Sequence, residues 1–161
     1  MSGNAAYEPG GMYILLSALP DGGMHWGIFV MVSPPFGMIY NATDSDGTWR
    51  LDEHMTENVA SSQNILGGLL IKRRIDENMQ DQIHNVLTRV PCPPQGGYIQ
   101  QWGENFRCRV WVKDAIERLR MAGLIGNYPT EDIWDEAFRL GESARRNGQR
   151  GVLANSHALR Y

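Results

Sequence analysis

The chain has 161 residues, of which 42% are hydrophobic, 20% charged and 9% aromatic, enough for one domain that buries its own core. Fifteen Lys and Arg against eighteen Asp and Glu leave a net charge of −3, which argues against a nucleic-acid or membrane-surface partner, and no apolar run approaches the roughly 18–20 residues of a membrane span. Two cysteines, Cys92 and Cys108, are too few for a disulfide scaffold or a Cys-rich zinc site.

Met1 to Gly11 lacks the basic and apolar regions of a secretory signal, so the sequence reads as a reduced, cytoplasmic chain. Residues 1–10 read as a flexible arm. Met12 to Leu19 is an aliphatic run of strand length. Pro20-Asp21-Gly22-Gly23 is a turn, and Met24 to Val32 a second strand that Pro34 and Pro35 break. Gly37 to Thr43 predicts a third, and Thr48 to Leu51 extends the meander. A further strand is centred on Leu66 to Lys72. From Asp76, a plausible N-cap, Met79, Ile83, Val86, Leu87 and Val90 recur at helical steps.

The prolines after Val90 start a loop that runs to about Asn105. Arg107 to Ala122 predicts a second helix, with Cys108, Trp111, Val112, Ala115 and Leu119 on one face and Gly123 as its C-cap. A third helix starts after Pro129 with Thr130 as N-cap and ends near Asn147-Gly148. The tail, Gln149 to Tyr161, is left unassigned. Strands first and helices after give an α+β class: an antiparallel β-meander packed against helices, in a single domain over 1–161. No metal-ligand spacing and no phosphate-binding loop occurs, so no cofactor and no metal is implied.

Cys108 carries the chemistry. It opens an amphipathic helix, where unpaired N–H groups and the dipole favour a thiolate, and the flanking Arg107 and Arg109 add to that. Such a place turns a thiol into a nucleophile; the alternative is a small buried hydrophobe. His25 begins the run HWGIFV. Alternation puts it with Gly27 and Phe29, opposite Trp26, Ile28 and Val30. Asn41 is the third candidate, able to orient an imidazole or simply to form a turn. The loop before Cys108 offers Tyr98, Gln101 and Trp102 as substrate contacts, together with Arg109. Cys92, between two prolines, reads as structural.

Three pieces of the sequence resemble a set of small fungal proteins of uncharacterised function. These are His25-Trp26-Gly27-Ile28-Phe29-Val30, then Gly37-Met38-Ile39-Tyr40-Asn41, then Arg107-Cys108-Arg109-Val110-Trp111-Val112. The order of His strand, polar strand and Cys helix is also similar to the circularly permuted papain-like group, which includes the lecithin:retinol acyltransferase-like and permuted NlpC/P60 proteins. The resemblance covers about Met12 to Gly123, making 12–123 a papain-like core and 124–161 a C-terminal helix and tail. Two positions depart from the pattern: Asn41 stands where it has His, and Arg109 where it has Gln.

The resemblance implies a cysteine hydrolase or acyltransferase with Cys108 as nucleophile, His25 as base and Asn41 as its orienter. Its substrate would be a small or peptide-like carbonyl compound, in the setting of fungal specialised metabolism. The alternative is a non-catalytic module that keeps the fold and binds a ligand or protein.

Overall fold

The computed structural model describes residues 6–161. Five strands follow one another: β1 (Met12–Ala18), β2 (Met24–Ser33), β3 (Phe36–Thr43), β4 (Arg50–Thr56) and β5 (Ile65–Lys72). Then come α1 (Glu77–Leu87), a small hairpin of β6 (Tyr98–Ile99) and β7 (Glu104–Asn105), α2 (Cys108–Met121), α3 (Thr130–Arg146) and β8 (Val152–Asn155). The main sheet has the order β4-β3-β2-β1-β5-β8. The fold is therefore α+β, with a mixed and mostly antiparallel six-stranded sheet and three helices.

Two expectations change here. The tail, unassigned from sequence, holds a strand: β8 pairs parallel with β5, Gly67 opposite Val152 through Leu70 opposite Asn155. A four-residue strand joining an edge is set by its partner more than by its own pattern, and residues 152–155 show no alternation. The arm is also tied down where it is described. Tyr7 is buried against Tyr13 and Phe29, Glu8 pairs with Arg73 at 3.0 Å, and the Gly10 N–H bonds to the Met31 carbonyl. Residues 1–5 of that expected arm lie outside the described residues.

Alternation assigns the two faces. Met12, Ile14 and Leu16 of β1, Trp26, Ile28 and Val30 of β2, and Tyr40 and Ala42 of β3 join Val110, Trp111, Ala115 and Ile116 of α2 and Ile133 and Ala137 of α3 in the main core. The opposite face carries a smaller cluster of Tyr13, Leu15, Phe29, Met31 and Leu70, covered by Tyr7 and Val59.

The helix ends differ in a way that matters for the site. Asp76 caps α1, its carboxylate accepting from the Met79 N–H at 2.8 Å. The N-cap of α2 is Arg107, extended and with no side-chain cap, so the first N–H groups of α2 stay available. Gly123, at φ 73°, takes the left-handed conformation that ends α2. Thr130 does not cap α3. Pro129 takes that place, and the Thr130 hydroxyl donates instead to Glu117 Oε1 at 2.7 Å, inside a network with Arg120.

No helix among the described residues is long and apolar enough to cross a membrane.

Candidate functional site

The site forms where two strands part. β2 pairs with β1 along its first residues, Met24 opposite Ala18 and His25 opposite Ser17. Its pairing with β3 runs only from Ser33–Phe36 to Ile28–Tyr40. Beyond that point β3 stays with β4, leaving β2 from Met24 to Gly27 as one arm of a fork. Gly27 permits the strands to stay close there. A Cβ on it would stand 3.1 Å from the Tyr40 carbonyl oxygen and 3.3 Å from the Asn41 Cβ.

His25 and Asn41 meet across this fork. His25 Nε2 donates to Asn41 Oδ1 at 3.0 Å. The first residue of α2 faces the same imidazole. The Cys108 thiol is the strongest influence on His25, whose pKa is raised by it against the lowering effect of burial; Asn41 and the Asp52 carboxylate raise it further. Burial is the largest influence on Cys108 and pushes its thiol up. The His25 imidazole, the backbone N–H of Trp26 and that of Arg109 outweigh it, and the thiol ends below its ordinary value.

Opposed shifts in two facing groups favour a thiolate–imidazolium pair. Because Nε2 is engaged with an acceptor, Nδ1 is the ring nitrogen left for the thiol. The three sequence candidates for catalysis are thus brought together. Arg109 acts differently from the expectation: it serves the thiol through its backbone N–H, while its guanidinium is drawn to Glu104 at 2.7 Å.

Cys108 opens onto a cleft of about 530 Å³. Its walls include Leu19, Met24, Trp26, Trp49 and Phe138, with Arg107, Arg109, Asp21, Asp44 and Glu142 as charged members. Trp26, Trp134 and Phe138 stack in a column, with centroids 4.7 and 5.6 Å apart and planes 6° from parallel. The Trp134 indole N–H donates to the Arg109 carbonyl at 3.3 Å, fastening α3 to the first turn of α2.

Of the four substrate contacts expected from sequence, only Arg109 lines this cleft. Tyr98 lies in an adjoining hollow with Glu104, Asn105, Arg107 and Arg109. Gln101 and Trp102 line a separate cleft with Glu117, Arg120 and Glu131. The small β6–β7 hairpin causes this: the Trp102 and Gly103 N–H groups both bond to the Ile99 carbonyl, turning the loop tip away, and the Lys113 ammonium sits 5.7 Å from the Trp102 ring centroid. The actual wall residues come from the β1–β2 turn, the β3–β4 turn and α3. Apart from Arg107 and Arg109, the wall residues are distant in sequence from Cys108, and no local signal marks them.

The other titratable candidates have structural partners. His54 meets Asp52 at 3.0 Å, His84 the Tyr40 hydroxyl at 2.9 Å, and His157 the Glu136 carboxylate at 2.5 Å. Both cysteines are free. Among the described residues no group of three or more His, Cys, Asp or Glu side chains is arranged to hold a metal ion.

No curated protein and no solved structure matches the chain. A family model, that of the family of unknown function DUF6540, matches residues 12–126. That span runs from β1 past the end of α2 and holds His25, Asn41 and Cys108, with α3 and β8 outside it. The chain belongs to the DUF6540 family of unknown function.

Proposed function

We propose that the protein is a cysteine-nucleophile hydrolase or acyltransferase. The observation that carries this reading is the opposed pair of shifts, Cys108 lowered and His25 raised, with Asn41 engaging the far nitrogen of the same ring. A half-buried thiol that were only a core residue would be pushed up.

The steps follow from the groups present. The Cys108 thiolate attacks the substrate carbonyl carbon and forms a C–S bond. The carbonyl electron pair moves to oxygen, where the Cys108 backbone N–H at the uncapped end of α2 stabilises the oxyanion. Collapse breaks the bond to the leaving group, which takes the proton from imidazolium Nδ1. Water, or an acceptor amine or alcohol, then gives its proton to Nδ1 and attacks the thioacyl carbon. The second collapse expels the Cys108 thiolate. Asn41 holds the ring throughout.

The apolar walls of the cleft suit a small or peptide-like substrate with an apolar acyl portion. The same reading includes a circularly permuted papain-like fold, since its chain order of His strand, polar strand and Cys helix is the one that group has.

The test is the pH dependence of Cys108 alkylation by iodoacetamide in a Cys92→Ser background, followed by mass spectrometry of the protein after exposure to activated esters and thioesters. The expected result is an apparent thiol pKa well below the free value of about 8.5, lost in His25→Ala, and a mass increase equal to the acyl group at Cys108. A thiol that reacts only above pH 8.5, or only on unfolding, overturns the reading.

A further inference from the structure

Asn41 is 8% exposed, so each polar atom of its amide needs a partner. Its Oδ1 accepts from His25 Nε2. Its Nδ2 donates to Asp52: to the backbone carbonyl at 3.5 Å and to carboxylate Oδ2 at 3.4 Å. Both Asp52 atoms can only accept, so the NH₂ group must turn towards Asp52 and the oxygen towards His25.

The consequence reaches the base. An acceptor at Nε2 places the neutral ring's proton there and leaves the lone pair on Nδ1, the nitrogen left for Cys108. A flipped amide would offer Nδ2 to the ring, move the proton to Nδ1 and turn the base into a donor. Asp52 is set in place by the sheet, opposite Asn41 in the β3–β4 register, and His54 Nδ1 holds its carboxylate from the solvent side at 3.0 Å.

We infer that Asp52 is a positioning residue of the thiol site: it holds the Asn41 amide in one orientation and thereby sets the His25 tautomer that presents Nδ1 to Cys108. This inference rests on the reading of Cys108 and His25 as the reacting pair. Asp52 touches neither of them and acts through Asn41. Its charge adds a second, smaller effect by favouring the imidazolium, screened because the Asp52 side chain is 33% exposed.

The experiment follows the ring ¹⁵N signals of His25 against pH in the full chain, alongside Cys108 alkylation. Above the His25 titration, where the ring is neutral, the wild type should show its proton on Nε2. Asp52→Ala removes the carboxylate acceptor and leaves the amide only the 3.5 Å contact to the backbone carbonyl; it should show mixed tautomers and alkylate about tenfold more slowly at pH 7. Asp52→Asn, whose amide oxygen still accepts from Asn41, should keep the tautomer and lower the His25 titration by about half a pH unit; being isosteric, it gives a reading even where Asp52→Ala does not fold. In an Asn41→Ala background Asp52→Ala should cost only the smaller effect of its charge.

An unchanged ring pattern in Asp52→Ala overturns the assignment. So does equal slowing with and without Asn41, whereas an unmoved His25 titration in Asp52→Asn overturns the charge effect alone. A tautomer that responds to Asp52 in a protein whose Cys108 never ionises below the ordinary range supports the hold on the ring and overturns the catalytic reading instead.

Discussion

The two cysteines of this chain are both half-buried and both free, yet their thiols move in opposite directions. Cys92 lies between Pro91 and Pro93, in a loop, and burial alone pushes its thiol up. Cys108 is the more deeply buried of the two, has burial as its largest single influence, and still ends low. The difference is what faces the sulfur. Cys108 has an imidazole and two backbone N–H groups, one from the open end of α2 and one from the arm of β2 that has left β3. Depth of burial therefore does not tell a structural cysteine from a reactive one; hydrogen-bond donors aimed at the sulfur do.

The largest test of that contrast removes the reactive sulfur. Cys108→Ala should abolish alkylation below pH 7.5 and any acyl adduct, while Cys92→Ser leaves both unchanged; intact protein mass reads this directly. His25→Ala comes next. Burial still raises the thiol but its strongest opponent is gone, so the thiol pKa rises. Below that pKa each unit costs tenfold in thiolate, and alkylation at pH 6.5 should slow by about 10- to 100-fold. The sign is definite: the loss is greatest at low pH and closes only as pH passes the variant's raised thiol pKa. Asn41→Ala leaves the imidazole in place but frees the ring, and should slow the same reaction by about 10- to 30-fold at pH 7. A faster thiol in either variant would mean that the donors, not the imidazole, set the thiolate.

Much of this site was legible in the residues. Asp76 and Gly123 marked helix ends, the apolar spacing after Arg107 placed Cys108 on the first turn of α2, and alternation put His25 and Gly27 on one strand face. Local rules reach that far because each depends on neighbours within one element. What they could not reach was set by pairing. The fork that brings Asn41 to His25 depends on where β2 and β3 stop bonding, and Asp52 is reached only through a register between strands. The tail became a strand because β5 offered it an edge. Gln101 and Trp102 stand beside Cys108 in sequence but face another cleft, since a two-residue hairpin reverses the loop.

The smallest predicted effect sharpens the comparison most, because it concerns a charge beside the reactive sulfur. A guanidinium one residue from a thiol would be expected to stabilise the thiolate, and Cys92, between Pro91 and Pro93, has no such neighbour. In the structure Arg109 Nε and Nη2 lie 2.8 and 2.7 Å from Glu104 Oε1, so its charge is already matched by a carboxylate. What reaches Cys108 from this residue is its backbone N–H, which any side chain leaves intact. Arg109→Gln should therefore shift the alkylation profile of Cys108 by less than about 0.3 pH unit. Stability should fall by less than about 1 kcal/mol, the usual worth of an ion pair whose Arg side chain is 39% exposed. A rise of a full unit in the thiol pKa, measured by the same iodoacetamide titration, would show that the guanidinium does hold the thiolate. The contrast between the two cysteines would then be one of local charge, not of aimed donors.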